Sequence, residues 1–156
     1  MWSFLAQIAT DSSLNSWIAN TYWLWPVLEI THFIGLSLLF GGLLMVDLRM
    51  LGFFLSIEQE KVYRLLPLVI IGFALNLVTG VLFFYGDPGR YSINIAFKIK
   101  MALVLVAGVN ALLYHYAVQP SASKAPQWQK LSAAISLSAW LGVLLFGRLI
   151  PYIGTG

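Results

Sequence analysis

The sequence contains no cysteine among its 156 residues. This absence excludes disulfides, thiolate metal sites and iron–sulfur clusters. Charge is also scarce, because Asp, Glu, Lys and Arg make up 10% of the chain, whereas a soluble domain has about a quarter. There are only two histidines. Thiol chemistry is therefore impossible, and the composition is not that of an ordinary soluble domain.

Apolar residues are abundant, at 60% of the chain with a mean hydropathy of +0.83. A bilayer core needs about 20 apolar residues in a helix. Four stretches meet that requirement, at about 24–46, 65–85, 95–116 and 131–150. The sequence therefore predicts an all-α fold, a polytopic membrane four-helix bundle that occupies residues 1–156 as a single domain, with the lipid bilayer as its partner.

The segment that precedes the first span is predicted to lie at the membrane surface. Residues 1–22 divide into two short amphipathic helices, and Asp11 or Ser12 can cap the second. Residues 1–10 contain no Lys or Arg, which argues against a secretory signal. We therefore expect interfacial helices at 1–22 followed by the bundle at 23–156.

The distribution of basic residues predicts the orientation of the bundle. A sequence pI of about 9.3 does not indicate nucleic-acid binding, because the basic residues are scattered at the ends of the spans. One end carries Arg49, Lys61, Arg64, Lys124 and Lys130, whereas the loop at the other end carries only Arg90. By the positive-inside rule the first end is cytoplasmic. We expect a bacterial inner-membrane protein with both termini in the periplasm.

Glu29 and His32 lie inside the first span, where ionisable groups are costly and usually functional. A rise of about 1.5 Å per residue puts them at depths of ~8 and ~12 Å from the outer end. The other three spans place polar residues at a similar depth: Asn76, Thr79, Lys98, Lys100 and Arg148. All four helices are thus predicted to contribute to one polar layer.

The spacing of Glu29 and His32 puts both side chains on one helix face. Glu29 can then orient the imidazole and leave one nitrogen free to bind a metal, with haem iron as the best candidate. Arg148, Lys98 and Lys100 would neutralise the haem propionates, and Asn76 completes the predicted cofactor site. A di-iron site is disfavoured, because the other three spans contain no Asp or Glu.

The second histidine, His115, is predicted to lie about 18 Å from His32 in depth, so the two cannot easily hold one haem within a protomer. A bis-histidine haem would need His32 from two copies across a symmetric interface. His115 is instead interpreted as an interfacial residue between two tyrosines. A homo-oligomer is expected, because one small bundle has little interior.

Two further polar residues of the sequence suggest a structural link. Asp47 ends the first predicted span, and Asn110 on the third lies at a similar depth. Either an Asp47–Asn110 hydrogen bond or an Asp47–Arg64 ion pair would connect helix ends.

The motifs W-x-W-P-x-x-E-x-x-H-F-x-G-L at 23–36 and D-L-R-x-L-G at 47–52 resemble a family of small bacterial four-helix membrane proteins. The overall arrangement of the four predicted spans is also similar, much more weakly, to copper-resistance D domains and to cytochromes of the b561 type. The latter resemblance implies haem binding, but those cytochromes pair histidines at matching depths, which this sequence does not.

The preferred hypothesis is a membrane protein that binds haem b and transfers electrons to a redox partner, rather than a classical enzyme. Two alternatives stay open. The polar layer can contain an ion pair between Glu29 and Arg148 that holds helices together, in a structural or accessory subunit. It can also be a pathway for protons or a small solute through Glu29 and His32.

Overall fold

The computed structural model describes residues 2–118 and 126–153, which form helices and no strand. In chain order the helices are α1 Trp2–Thr10, α2 Ser13–Asn20, α3 Leu24–Leu51, α4 Gln59–Tyr63, α5 Leu66–Gly86, α6 Pro88–Ile93, α7 Ile95–Leu113 and α8 Pro126–Leu149. A π-helical turn, Tyr114–Val118, continues α7. The predicted all-α class is confirmed for the described residues.

Four of these helices, α3, α5, α7 and α8, are long and apolar enough to cross a membrane. The predicted boundaries were too short in two places. Helix α3 continues to Leu51 instead of ending near Val46, because its stop signal is Gly52, whose φ of 104° is left-handed. Helix α8 begins at Pro126, about one turn before the predicted start. Most of the predicted connection before α8, including Lys124, lies outside the described residues.

The packing order of the long helices leaves one side of the bundle open. Helix α3 packs along α5 and α8, and α8 packs along α7. In the described part of the chain, α5 and α7 do not pack along each other. We call the end where α3 and α7 begin the Trp25 end, and the opposite end the Asp47 end. At the Trp25 end the rings of Phe84 on α5 and Phe97 on α7 stack at 6.0 Å. The gap between α5 and α7 therefore lies towards the Asp47 end.

Helices α3 and α5 approach closely at a glycine pair. A Cβ atom on Gly72 would lie 2.5 Å from the carbonyl oxygen of Gly35. No residue larger than glycine fits at position 72 without moving a backbone, so this crossing fixes the register of α3 against α5.

The N-terminal helices pack against the Trp25 end. Ser12 accepts a hydrogen bond from the Asn15 backbone N–H as the N-cap of α2, which is one of the two caps that the sequence predicted. The Asn15 side chain donates to the Tyr85 carbonyl of α5 at 2.7 Å. The ring of Trp2 packs edge-on against Phe97 of α7 at 5.3 Å. These contacts attach both short helices to the bundle.

Candidate functional site

His32, the centre of the predicted polar layer, is held by α5. Its Nδ1 atom lies 2.7 Å from Oγ1 of Thr79, a residue that is 3% exposed. The Thr79 hydroxyl also donates to the Leu75 carbonyl at 2.6 Å. Because a hydroxyl has one hydrogen, this assigns His32 Nδ1 as a donor to Thr79 and leaves the lone pair on Nε2. The fixed ring packs edge-on against Phe83 at 5.4 Å.

Glu29 does not orient His32 as the sequence predicted. Its Oε1 atom accepts a hydrogen bond from the indole of Trp25, one turn earlier on α3, at 3.0 Å, and the residue is exposed. The i, i+3 spacing permits a contact between Glu29 and His32. Glu29 instead bonds the indole of Trp25, four residues earlier, and His32 bonds the hydroxyl of Thr79. The orienting role belongs to Thr79.

Asn76 lies on the same face of α5 as Thr79 but does not reach the imidazole. Its amide donates to the Gly72 carbonyl at 2.9 Å. The amide nitrogen also lies 2.7 Å from where a Cβ of Gly35 would stand. Asn76 is therefore part of the α3–α5 crossing.

The three basic residues of the layer lie at the Trp25 end of α7 and α8. Lys100 packs over Gly147, with Nζ 3.5 Å from the position of a Cβ there. Arg148 is exposed, and Lys98 is half-buried. Within residues 2–118 and 126–153, none of the three lies within 4.0 Å of a carboxylate. Among these residues, Glu29 and Arg148 do not form the ion pair that was predicted for a structural or accessory subunit.

Metal ligands are sparse in the described residues. No group of three or more His, Cys, Asp or Glu side chains that could hold a metal ion occurs among them. His115 lies on the π-helical turn at the Asp47 end, beside Tyr116, whereas His32 lies in the Trp25 half. The two histidines are thus in opposite halves of the bundle.

One feature of the Asp47 end was missed from the sequence: a cleft of about 420 Å³ between α5 and α7, which is also lined by residues of α3 and α8. Its α5 wall is apolar, formed by Leu66, Val69, Ile70 and Phe73. Its polar side chains come from the other elements: Asp47, Tyr63, Asn110, Tyr114, His115, Ser132 and Ser136. The cleft is therefore an apolar chamber with polar groups on one side.

Asp47 is the most unusual residue of the cleft. It is 3% exposed, and its Oδ2 atom is buried without a hydrogen-bond partner. The Ser136 hydroxyl on α8 lies beside it and also lines the cleft. Burying a carboxylate oxygen without a partner costs several kcal/mol in general. Such a group needs an explanation beyond packing.

Neither predicted partner forms a hydrogen bond or an ion pair with Asp47. Asn110 donates to the Ser132 carbonyl at 3.0 Å and accepts from the Ser132 hydroxyl at 3.1 Å. Arg64 lies 3.8 Å from Glu60, on the surface. Both predictions were wrong because Asp47 is not a helix end: α3 continues for another turn to Leu51, and the Asp47 side chain lies beside Ser136 of α8.

Two tyrosines, Tyr63 and Tyr114, line the cleft at the Asp47 end. The hydroxyls of Tyr63 and Tyr114 lie 2.5 Å apart. Gln59 donates to Tyr63, and Gln129 donates to Tyr114 at 3.4 Å. Two hydroxyl hydrogens are present and only one lies between the oxygens, so one remains for another acceptor. The pair thus offers a donor near Asp47.

One sequence signal could have indicated this cleft. Asp47 faces small residues on the other helices, Ala107 and Gly108 on α7 and Ser132 and Ser136 on α8. A charged side chain opposite several small side chains leaves room beside it.

The chain matches no family model, no curated protein and no solved structure.

Proposed function

We propose that this chain is a multi-pass membrane protein that binds a small lipophilic molecule in the cleft between α5 and α7. The observation that carries the proposal is Asp47, a residue only 3% exposed whose Oδ2 atom is buried without a hydrogen-bond partner, in the lining of a cleft of about 420 Å³. Ligand sites commonly enclose about 300–1,000 Å³ of mostly apolar space with a few polar groups. The cleft has that size and that composition.

The membrane setting is supported by the outward faces of the long helices. Ile30, Phe33 and Ile34 on α3 are 61%, 69% and 51% exposed, and Ile70 on α5 is 66% exposed. Apolar surface of this extent is rare in soluble monomers and suits contact with lipid. Because Ile70 is also on the wall of the cleft, a molecule dissolved in the bilayer can enter from the side.

The proposed location is a bacterial inner membrane with both termini in the periplasm, in a homo-oligomer. The chain has no cysteine, so single cysteines report topology cleanly. Ser16→Cys on α2 should react with a membrane-impermeant maleimide added outside intact cells, whereas Ser56→Cys between α3 and α4 should react only after lysis. The reverse pattern contradicts the orientation.

Binding is tested by filling the cleft from a glycine. Gly108 lies on its wall, and a Cβ there meets no atom within 4 Å. We expect Gly108→Leu to remove most photolabelling of α5 and α7 by a diazirine-bearing long-chain alcohol in nanodiscs of zwitterionic lipid. Gly80→Leu is the matched control, because Gly80 is equally open and lies outside the cleft. Equal labelling of both variants and the wild type would overturn the proposal.

A second candidate function, haem b binding with electron transfer to a redox partner, depends on His32. The hydrogen bond to Thr79 fixes the ring, and among the described residues Nε2 has no hydrogen-bond partner. His32 would hold the iron through Nε2, and Lys100 would face a propionate. Bound haem would supply one-electron redox chemistry.

This candidate is tested by the absorbance spectrum of purified protein after addition of haem. We expect a Soret band in the wild type and in His115→Ala, and its loss in His32→Ala. Absence of the band from all three proteins would end the haem hypothesis. Because the cleft does not include His32, that result would leave cleft binding intact.

A further inference from the structure

An ionised Asp47 would find no lysine or arginine among the described residues that line the cleft. The ion pairs of the described ranges are Lys61–Glu58, Arg64–Glu60 and Arg90–Asp87, all exposed or partly exposed and none involving Asp47. An ionised carboxylate in a dry chamber is strongly stabilised by a positive charge brought to it. Within residues 2–118 and 126–153, no Lys or Arg provides that charge.

Aromatic rings lie on both sides of Asp47 along the cleft. Trp140 on α8 is one turn from Ser136, the neighbour of Asp47, and its ring meets Phe73 edge-on at 6.4 Å. In the other direction lie Tyr63 and Tyr114. Aromatic faces attract ammonium groups, most strongly where water is excluded. A carboxylate between aromatic rings is the chemistry that recognises an organic ammonium ion.

The rest of the cleft suits a hydrocarbon tail. The α5 wall carries only apolar side chains, and on α7 the small residues Ala107, Gly108 and Ala111 leave space opposite them. A tail lying between these walls would keep apolar surroundings like those it has in the bilayer. The ligand therefore needs a charged head and an apolar body.

We propose that the cleft selects lipophilic amines, with Asp47 as the residue that recognises the positively charged nitrogen. The inference rests on the proposed function and adds the class of ligand. A lipophilic carboxylic acid is disfavoured, since its anion would face Asp47. The other titratable groups that line the cleft are Tyr63, Tyr114 and His115.

The test uses three photolabels with the same diazirine-bearing chain and different heads: a primary amine, an alcohol and a carboxylate. They are compared in nanodiscs of zwitterionic lipid at neutral pH, so that anionic lipid does not concentrate the amine. We expect the amine to label the cleft on the order of tenfold more than the carboxylate, which corresponds to about 1.4 kcal/mol. Labelled peptides are located by mass spectrometry.

Asp47→Asn keeps the shape of the side chain and removes its charge. It should abolish the preference for the amine and leave labelling by the alcohol unchanged. Glu29→Gln is the matched control, because Glu29 is the other acidic residue of α3 and lies outside the cleft. It should keep the wild-type preference.

Competition on the wild type gives the same answer without any substitution. Excess dodecylamine should suppress labelling by the alcohol, whereas excess dodecanoate should not. Equal labelling by all heads, or a preference that survives in Asp47→Asn, would overturn the amine selectivity while the cleft still binds. If none of the three photolabels labels the wild-type cleft more strongly than it labels the Gly108→Leu variant, the proposed function itself fails.

Discussion

Gly72 of α5 stands directly against the backbone of Gly35 in α3, so that a Cβ on Gly72 would lie 2.5 Å from both the Gly35 carbonyl oxygen and the Leu39 backbone nitrogen. These are backbone atoms and cannot rotate away. The contact holds together the two helices that carry His32 and Thr79, and it borders the buried Leu39 of the bundle core.

Gly72→Ala is expected to destabilise the protein by about 1–3 kcal/mol, the usual cost of overpacking. Thermal unfolding in detergent micelles measures the change. Gly80→Ala is the control on the same helix, because a Cβ there meets no atom within 4 Å; it should be neutral or stabilising by up to about 1 kcal/mol. Similar destabilisation by both would show that the close crossing is not responsible.

Thr79→Val should leave the His32 Nδ1 hydrogen without its acceptor and cost about 1–3 kcal/mol. Thr79→Ser, which keeps the hydroxyl, should recover most of the loss. Thr31→Val is a matched control on α3, since the Thr31 hydroxyl donates to the Val27 carbonyl at an exposed position. Unfolding midpoints of the three variants give the comparison, and a Thr79→Val protein as stable as the wild type would contradict the assigned bond.

Asn94 joins the start of α7 to the end of α8. It is 0% exposed, accepts from the Phe97 N–H as the N-cap of α7, and donates to the carbonyls of Ile150 and Ile153. Asn94→Ala should cost about 2–4 kcal/mol, because it removes a cap and leaves buried groups unpaired. Asn94→Asp keeps the cap acceptor but cannot donate, so its stability should lie below wild type too. An aspartate variant as stable as the wild type would show that the carbonyl contacts contribute nothing.

Tyr91 on α6 gives the protein a specific sensitivity to alkaline pH. Burial, reinforced by the nearby Asp87 carboxylate, raises the pKa of Tyr91 to about 12, above its ordinary value near 10. The folded state therefore keeps the phenol proton that the unfolded chain releases. This contribution to stability is complete below about pH 10 and is lost as the pH rises towards 12. Tyr91→Phe has no such proton, so its unfolding midpoint should fall less steeply than that of the wild type between these pH values.

The sequence predicted the long helices well and the polar contacts less well. Runs of about 20 apolar residues define a span because every backbone group must be satisfied within it, and α5 and α7 follow the predicted boundaries closely. Asp47 and Arg49 lowered the hydropathy at the end of α3, so the predicted span stopped early. The true end at Gly52 depends on a left-handed backbone conformation, which hydropathy does not detect.

Pairing between helices could not be read from spacing along one helix. Glu29 and His32 share a face, yet Glu29 bonds Trp25 and His32 bonds Thr79. Each side chain takes the nearest well-placed partner, and for His32 that partner comes from another helix. Asp47 likewise had reasonable partners in Asn110 and Arg64, but Ser132 and Glu60 satisfy those residues first.

By itself, the sequence determined the all-α class, the four helices able to cross a membrane and the residues that would be costly inside them, because these follow from local composition and from helix geometry. Only the tertiary structure decided that α5 and α7 stand apart at the Asp47 end, and that Asp47 faces the resulting cleft, whose described lining residues include no Lys or Arg. The physical reason is that a cleft is a gap between packed neighbours: it depends on which helices touch, and the Gly35–Gly72 crossing and the α3–α8 and α7–α8 contacts set that order.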